Sequence, residues 1–161
     1  MSVTNDMVAS LRRPGHVMEK HLSLGVREDR ALIYLMASCV MFFVANLPVM
    51  ARNAHLNGSE MGPELGASVL AWLFVAPLAL YIVAGVLRII VRIFGCKAGW
   101  YPVRLAFFWS LLVSTPLVLL NGLTAGMIGP GVQQNTVGFL WFVCFLWVLI
   151  GSMRAACRPS E

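Results

Sequence analysis

The stretch that decides the fold runs from Ala67 to Leu120. It reads ASVLAWLFVAPLALYIVAGVL (67–87), RIIVRIFGCKAGWYPVR (88–104) and LAFFWSLLVSTPLVLL (105–120). The outer two segments carry no ionisable acid or base, and each approaches the ~20 apolar residues that cross a hydrocarbon core as a helix. The middle segment holds Arg88, Arg92, Lys97 and Arg104 and no acidic residue. This is the pattern of a membrane hairpin with a basic turn, and Pro77 and Pro116 each fall near the middle of a span.

Working outward, two more apolar runs appear, ALIYLMASCVMFFVANLPVMA (31–51) and VGFLWFVCFLWVLIGSM (137–153). With 161 residues, 59% of them hydrophobic and 12% charged, the chain has room for four spans and no separate soluble domain. The charged fraction is about half that of a soluble domain. The expected fold is all-α, a polytopic integral membrane protein with spans 31–51, 67–87, 105–120 and 137–153. Residues 1–30 form an arm and 154–161 a tail. The connections 52–66 and 121–136 read as loops from their glycine and proline content.

The arm has no apolar run of signal-peptide length. Pro14 suits the first turn of a helix, and Val17, His21 and Leu24 share a face, so one short amphipathic helix is expected there. It lies either in the headgroup region or in solvent. Glu28 and Asp29 then suit the first turn of the span that follows.

Charge sets the orientation. Of the 12 Lys and Arg residues, 11 fall in 1–30, 88–104 and 154–161, against Arg52 alone in the opposite connections. The positive-inside rule therefore predicts both termini in the cytoplasm. The formal charge of +5 belongs to this pattern rather than to a nucleic-acid face. Arginine exceeds lysine ten to two, which points to a GC-rich bacterial genome and hence to the bacterial cytoplasmic (inner) membrane.

Chemistry-bearing groups are sparse. Every Asp and Glu lies outside the spans, which argues against proton-coupled transport. His16, His21 and His55 are also outside them, so no haem ligand, metal pair or base for an intramembrane serine is expected. Cys39 and Cys144 lie within spans; Cys96 and Cys157 lie at the cytoplasmic ends and are expected as separate, reduced thiols. No cofactor and no catalytic residue is predicted.

Three sets of residues remain as candidate sites. Ala106, Ser110 and Ser114 form a small-residue stripe suited to helix packing or partner contact. Arg88, Arg92 and Arg104 are candidates for lipid-headgroup or partner contact. Pro77 and Pro116 break their helices at matching depth, the pattern of a small transporter or channel site gathering Asn46, Tyr81 and Thr115. The alternative is a pair of kinks whose freed carbonyls, at Leu73 and Leu112, are satisfied locally.

The segment FGCKAGWYPVRLAFFWSLLVSTPLVLLNGL resembles the Yip-domain family of Rab/Ypt-interacting membrane proteins, in its short bacterial four-span members. The shared pattern is a glycine-bearing turn (Gly95, Gly99), then Trp100, a basic position at Arg104, the pair Trp109-Ser110 and a mid-span proline at Pro116. RRPGHVMEKHL, with Pro14, is similar to the family's Pro-led amphipathic lead-in. The resemblance implies a non-enzymatic protein acting through the lipid bilayer, another membrane protein or a second copy of itself. Eukaryotic relatives have five spans and an N-terminal Asp-Leu-Tyr-Gly-Pro motif. This chain lacks the motif and carries Trp109-Ser110 where Gly-Tyr is usual, so small-GTPase binding does not carry over. Membrane organisation or a role as an accessory subunit is what remains.

Overall fold

A computed structural model describes residues 3–58, 60–96 and 98–157; Lys97 and Arg158 lie outside them. Among the described residues all regular structure is helical. The order is α1 (Val3–Arg12), α2 (Pro14–Ser23), α3 (Glu28–Asn57), α4 (Met61–Ile93), α5 (Trp100–Met127) and α6 (Val132–Ala156). The last four are each long and apolar enough to cross a membrane, so the chain is built as an integral membrane protein.

These helices outrun the expected spans. α3 has 30 residues, about 45 Å of helix, enough to cross the headgroup regions as well as the hydrocarbon. Most of the expected loop 52–66 is therefore helical, and α5 continues to Met127 through the expected loop 121–136. The reason lies in packing. A Cβ added to Gly122 would sit 1.8 Å from the Ala45 carbonyl oxygen, and one on Gly126 2.4 Å from Pro48 Cβ. The glycines that suggested a loop are where α5 crosses α3 in backbone contact.

α5 is the axis of the bundle, packed against α3, α6 and α4. Its buried residues include Val103, Leu105, Phe108, Trp109 and Leu112. α4 is the peripheral helix and contains one wider, π-type turn at Ala71–Val75. There the Ala76 N–H bonds the Ala71 carbonyl, five residues back. Pro77 follows directly; it has no N–H to offer, and its ring crowds the preceding turn, which the wider turn relieves.

The N-terminal arm differs from expectation. It holds two helices rather than one, and they are docked on the bundle rather than lying free. α2 begins at Pro14 and packs on α6, where a Cβ on Gly151 would meet Pro14 Cγ at 2.3 Å. Met18 and Val17 are buried in the same core as α5. Lys20 and Asp6, 2.7 Å apart, tie α2 to α1.

Candidate functional site

The charged and polar side chains of interest gather at the end of the bundle where α4 and α6 finish and α3 and α5 begin. α4 ends in a Schellman motif: Gly95, at φ 86°, donates to the Arg92 carbonyl (3.0 Å), and Cys96 donates to that of Val91 (3.2 Å). The turn aims Cys96 back at the bundle. Arg88, one turn before, places its guanidinium 5.6 Å from the centre of the Trp100 ring, a cation–π contact between α4 and α5. Arg104 pairs with Glu28 at the start of α3 and lies 5.9 Å from the Tyr81 ring. Arg92 is exposed. Of the three predicted arginines, two are thus engaged within the chain, and Arg92 faces outward.

Beside them lies a buried polar cluster contributed by four helices. The Trp109 indole N–H donates to Ser10 Oγ at 2.9 Å, joining α5 to α1. Ser10 in turn donates to the Asp6 carbonyl. The His21 ring packs 4.5 Å from Trp109 and 5.7 Å from Tyr34. It is 6% exposed, and neither ring nitrogen has a hydrogen-bond partner among the described residues. Burial holds the His21 imidazole below its ordinary pKa, with Arg30 and Lys20 acting in the same direction and Asp6 against them. The helical spacing of Val17 and His21 signalled an apolar face; Ser10, outside that pattern, gave no such signal.

One expectation is corrected here. Cys96 and Cys157, read as separate reduced thiols, are joined as a disulfide with Cα atoms 5.2 Å apart. Their 61-residue separation hid the pairing, because no local motif such as C-x-x-C is involved. The ends of α4 and α6 meet in space, and that brings the sulfurs together. Cys39 and Cys144 are free. Among the described residues no group of three or more His, Cys, Asp or Glu is placed to hold a metal ion.

Two concavities share Arg154, and one of them reaches the disulfide. A groove of about 430 Å³ runs between Leu87, Val91 and Phe94 on one wall and Leu149, Ile150 and Met153 on the other, closed at one end by Cys96 and Cys157. A second, of about 340 Å³, lies between α2 and α6 and is lined by Arg13, His16, Glu19 and Arg154.

The other predicted residues are placed elsewhere. Ala106, Ser110 and Ser114 are completely buried inside the chain, which leaves the stripe no surface to offer a partner. Ser110 donates to the Ala106 carbonyl and Ser114 to that of Leu111, while the Trp141 indole donates to Ser114 Oγ. Pro77 is buried and Pro116 exposed, so the two breaks do not share a face. Thr115 donates to Leu112 at 2.7 Å, satisfying the carbonyl that Pro116 frees. Asn46 bonds its own helix at Phe42, and the Tyr81 ring packs on Phe108. Of the three side chains that a transport site requires, Asn46 and Thr115 are bonded to their own helices and the Tyr81 ring is packed against α5.

Gly122 and Gly126 form G-x-x-x-G, the spacing of close helix crossings. Arg52 closes that crossing by donating to the Gly126 and Met127 carbonyls at 3.3 and 3.2 Å, the unpaired end of α5. The chain matches no family model, no curated protein and no solved structure.

Proposed function

We propose that the chain is a non-enzymatic membrane protein, akin to the short Yip-domain proteins, that works through lipid or partner contacts at its basic end. It sits in the bacterial inner membrane with both termini in the cytoplasm, as an organiser of the membrane or an accessory subunit. The observation that carries this reading is the division of labour among polar groups. Ser38, Asn46, Ser110, Ser114 and Thr115 each bond a carbonyl of their own helix, and the Tyr101 and Ser152 hydroxyls and the Asn121 amide oxygen are buried, whereas Arg92 and Arg154 are exposed at the basic end. His21 is enclosed by aromatic rings rather than open to a substrate.

Crosslinking in native membranes tests it. A photo-crosslinking residue at Arg92 or at Trp100, which is 58% exposed, is expected to capture a membrane protein or phospholipid in defined yield. The same probe at the buried Ser110 position is expected to give only bonds within the chain. Uniform, low-yield labelling at all three positions would sink the contact reading. Alkaline phosphatase fused after Glu161 is expected to be inactive; an active fusion reverses the orientation.

A further inference from the structure

We infer that the groove between the ends of α4 and α6 is a binding site for one anionic glycerophospholipid, its acyl chain in the groove and its phosphate on Arg154. The inference deepens the contact reading above and rests on it.

The groove exists because of how the bundle is assembled. α4 and α6 both lean on α5 but do not pack on one another as they do on it. They converge only at the basic end, where Cys96 and Cys157 join them. Between two helices whose ends meet and that a third holds apart, a slot opens toward the bilayer. Its walls are apolar and spaced one turn apart on each helix: Leu87 and Val91 on α4, Leu149 or Ile150 and Met153 on α6. Ile150 is 49% exposed and Phe94 85%, so both present their surfaces outward. A slot of this shape accepts an alkyl chain running along the helices.

The charge lies at one end of the slot. Arg154 is exposed and has no hydrogen-bond or ion-pair partner among the described residues. It also lines the neighbouring cleft with Arg13 and His16, against the single carboxylate of Glu19. Arg13 sits at the N-cap of α2 and His16 belongs to that helix, which is held against α6 at Gly151. The docked arm therefore does more than cover the bundle: it adds the Arg13 guanidinium to the cleft that Arg154 lines. An apolar slot ending at clustered cations matches both halves of an anionic phospholipid. A soluble anion would have no use for the slot, and a zwitterionic phospholipid would bring its own cation against the arginines.

The test uses the full chain purified in a neutral detergent and native mass spectrometry. Phosphatidylglycerol and phosphatidylcholine of the same acyl chains are added in equal amounts. The wild type is expected to retain phosphatidylglycerol over phosphatidylcholine by about fivefold, the effect of roughly one interfacial cation on a net negative headgroup, since the choline offsets the phosphate that both lipids carry. Arg154→Ala is expected to abolish the preference, Arg154→Lys to keep part of it, and Ile150→Trp to lower retention of both lipids alike by filling the slot. Thermal unfolding in the same detergent controls for damage to the fold. Equal retention of the two lipids by the wild type overturns the inference, as does a preference that survives both Arg154→Ala and Ile150→Trp. Capture of a protein rather than a lipid by a photo-crosslinker at Ile150 also overturns it. That last outcome leaves the broader contact reading standing, which fails separately, on the probes at Arg92 and Trp100.

Discussion

α4 and α5 are neighbours in sequence and opposites in the fold. The best window of α4 has the highest mean hydropathy of the four, 2.3, yet 11% of it is buried; that of α5 has the lowest, 1.9, and 72% of it is buried. In water this order would be reversed. In a bilayer, lipid tails are as apolar as leucine, so apolarity earns no burial. Helices associate where small residues let backbones approach and where polar groups find partners. α5 carries Gly122, Gly126, Ala106, Ser110, Ser114 and the Trp109 indole; α4 presents Phe74, Leu78, Ile82 and Ile89 to its surroundings. Hydropathy finds a span, and the interruptions of hydropathy find its place in the bundle.

Glycine substitutions break this comparison most directly. Gly122→Leu puts a side chain where the Ala45 carbonyl already stands, so α3 and α5 must separate. We expect a loss of roughly 3 kcal/mol or more in detergent unfolding, the upper range for overpacking. Gly85→Leu on α4 meets nothing within 4 Å and is expected to be neutral or slightly stabilising through better helix propensity. Similar losses at both positions would mean that α4 is as deeply packed as α5.

The same contrast explains what was legible in the sequence. Four spans could be read from apolar runs because length and charge are local properties. The extension of α5 past Leu120 could not, because NGLTAGM looks like a loop until Ala45 and Pro48 are known to lie against it. Neither the headgroup nor the solvent reading of the arm includes docking, because what fixes the arm is Ser10 on Trp109, a contact across 99 residues. Cys96 and Cys157 escaped for a similar reason, as partners made only by the meeting of two helix ends. Arg88, Arg92 and Arg104 share one charge signature in sequence, and only neighbouring rings and carboxylates separate them.

pH sharpens the comparison for the docked arm. His21 is buried neutral, with a folded pKa below its ordinary value of about 6.5. Docking is therefore at full strength above that value and is lost as pH falls through it toward the folded pKa, because the released arm binds the proton more readily. The penalty grows by at most about 1.4 kcal/mol per pH unit over that interval. Asp6 on α1 opposes the shift, while Lys20 on α2 and Arg30 on α3 reinforce it. The protection factors of residues 3–23, taken against the intrinsic exchange rate at each pH, are expected to fall between pH 7 and pH 5 while those of α5 hold. His21→Phe should remove the dependence; an arm equally protected at both pH values in the wild type would show that the imidazole charges in place.

The smallest expected effect concerns the one covalent tie that α4 has. A disulfide spanning 61 residues would contribute about 4 kcal/mol in a chain free to expand, but here the bilayer already confines the spans it joins. Cys96→Ser with Cys157→Ser is expected to cost roughly 1 kcal/mol, read by thermal unfolding in detergent, and to free the end of α4 rather than the bundle. The state of the tie in a cell depends on which way the protein faces. With the basic end in the cytoplasm the pair is kept as two thiols, since that compartment is reducing, and an added diazene oxidant closes it by taking up the two hydrogens released. Alkylation of intact cells followed by a gel-mobility shift reads this out: modification before the oxidant and protection after it. A pair protected from the start would place this end on the oxidising side. The 11 basic residues and the disulfide would then point in opposite directions, and the covalent bond, which needs an oxidising environment to persist, would decide between them.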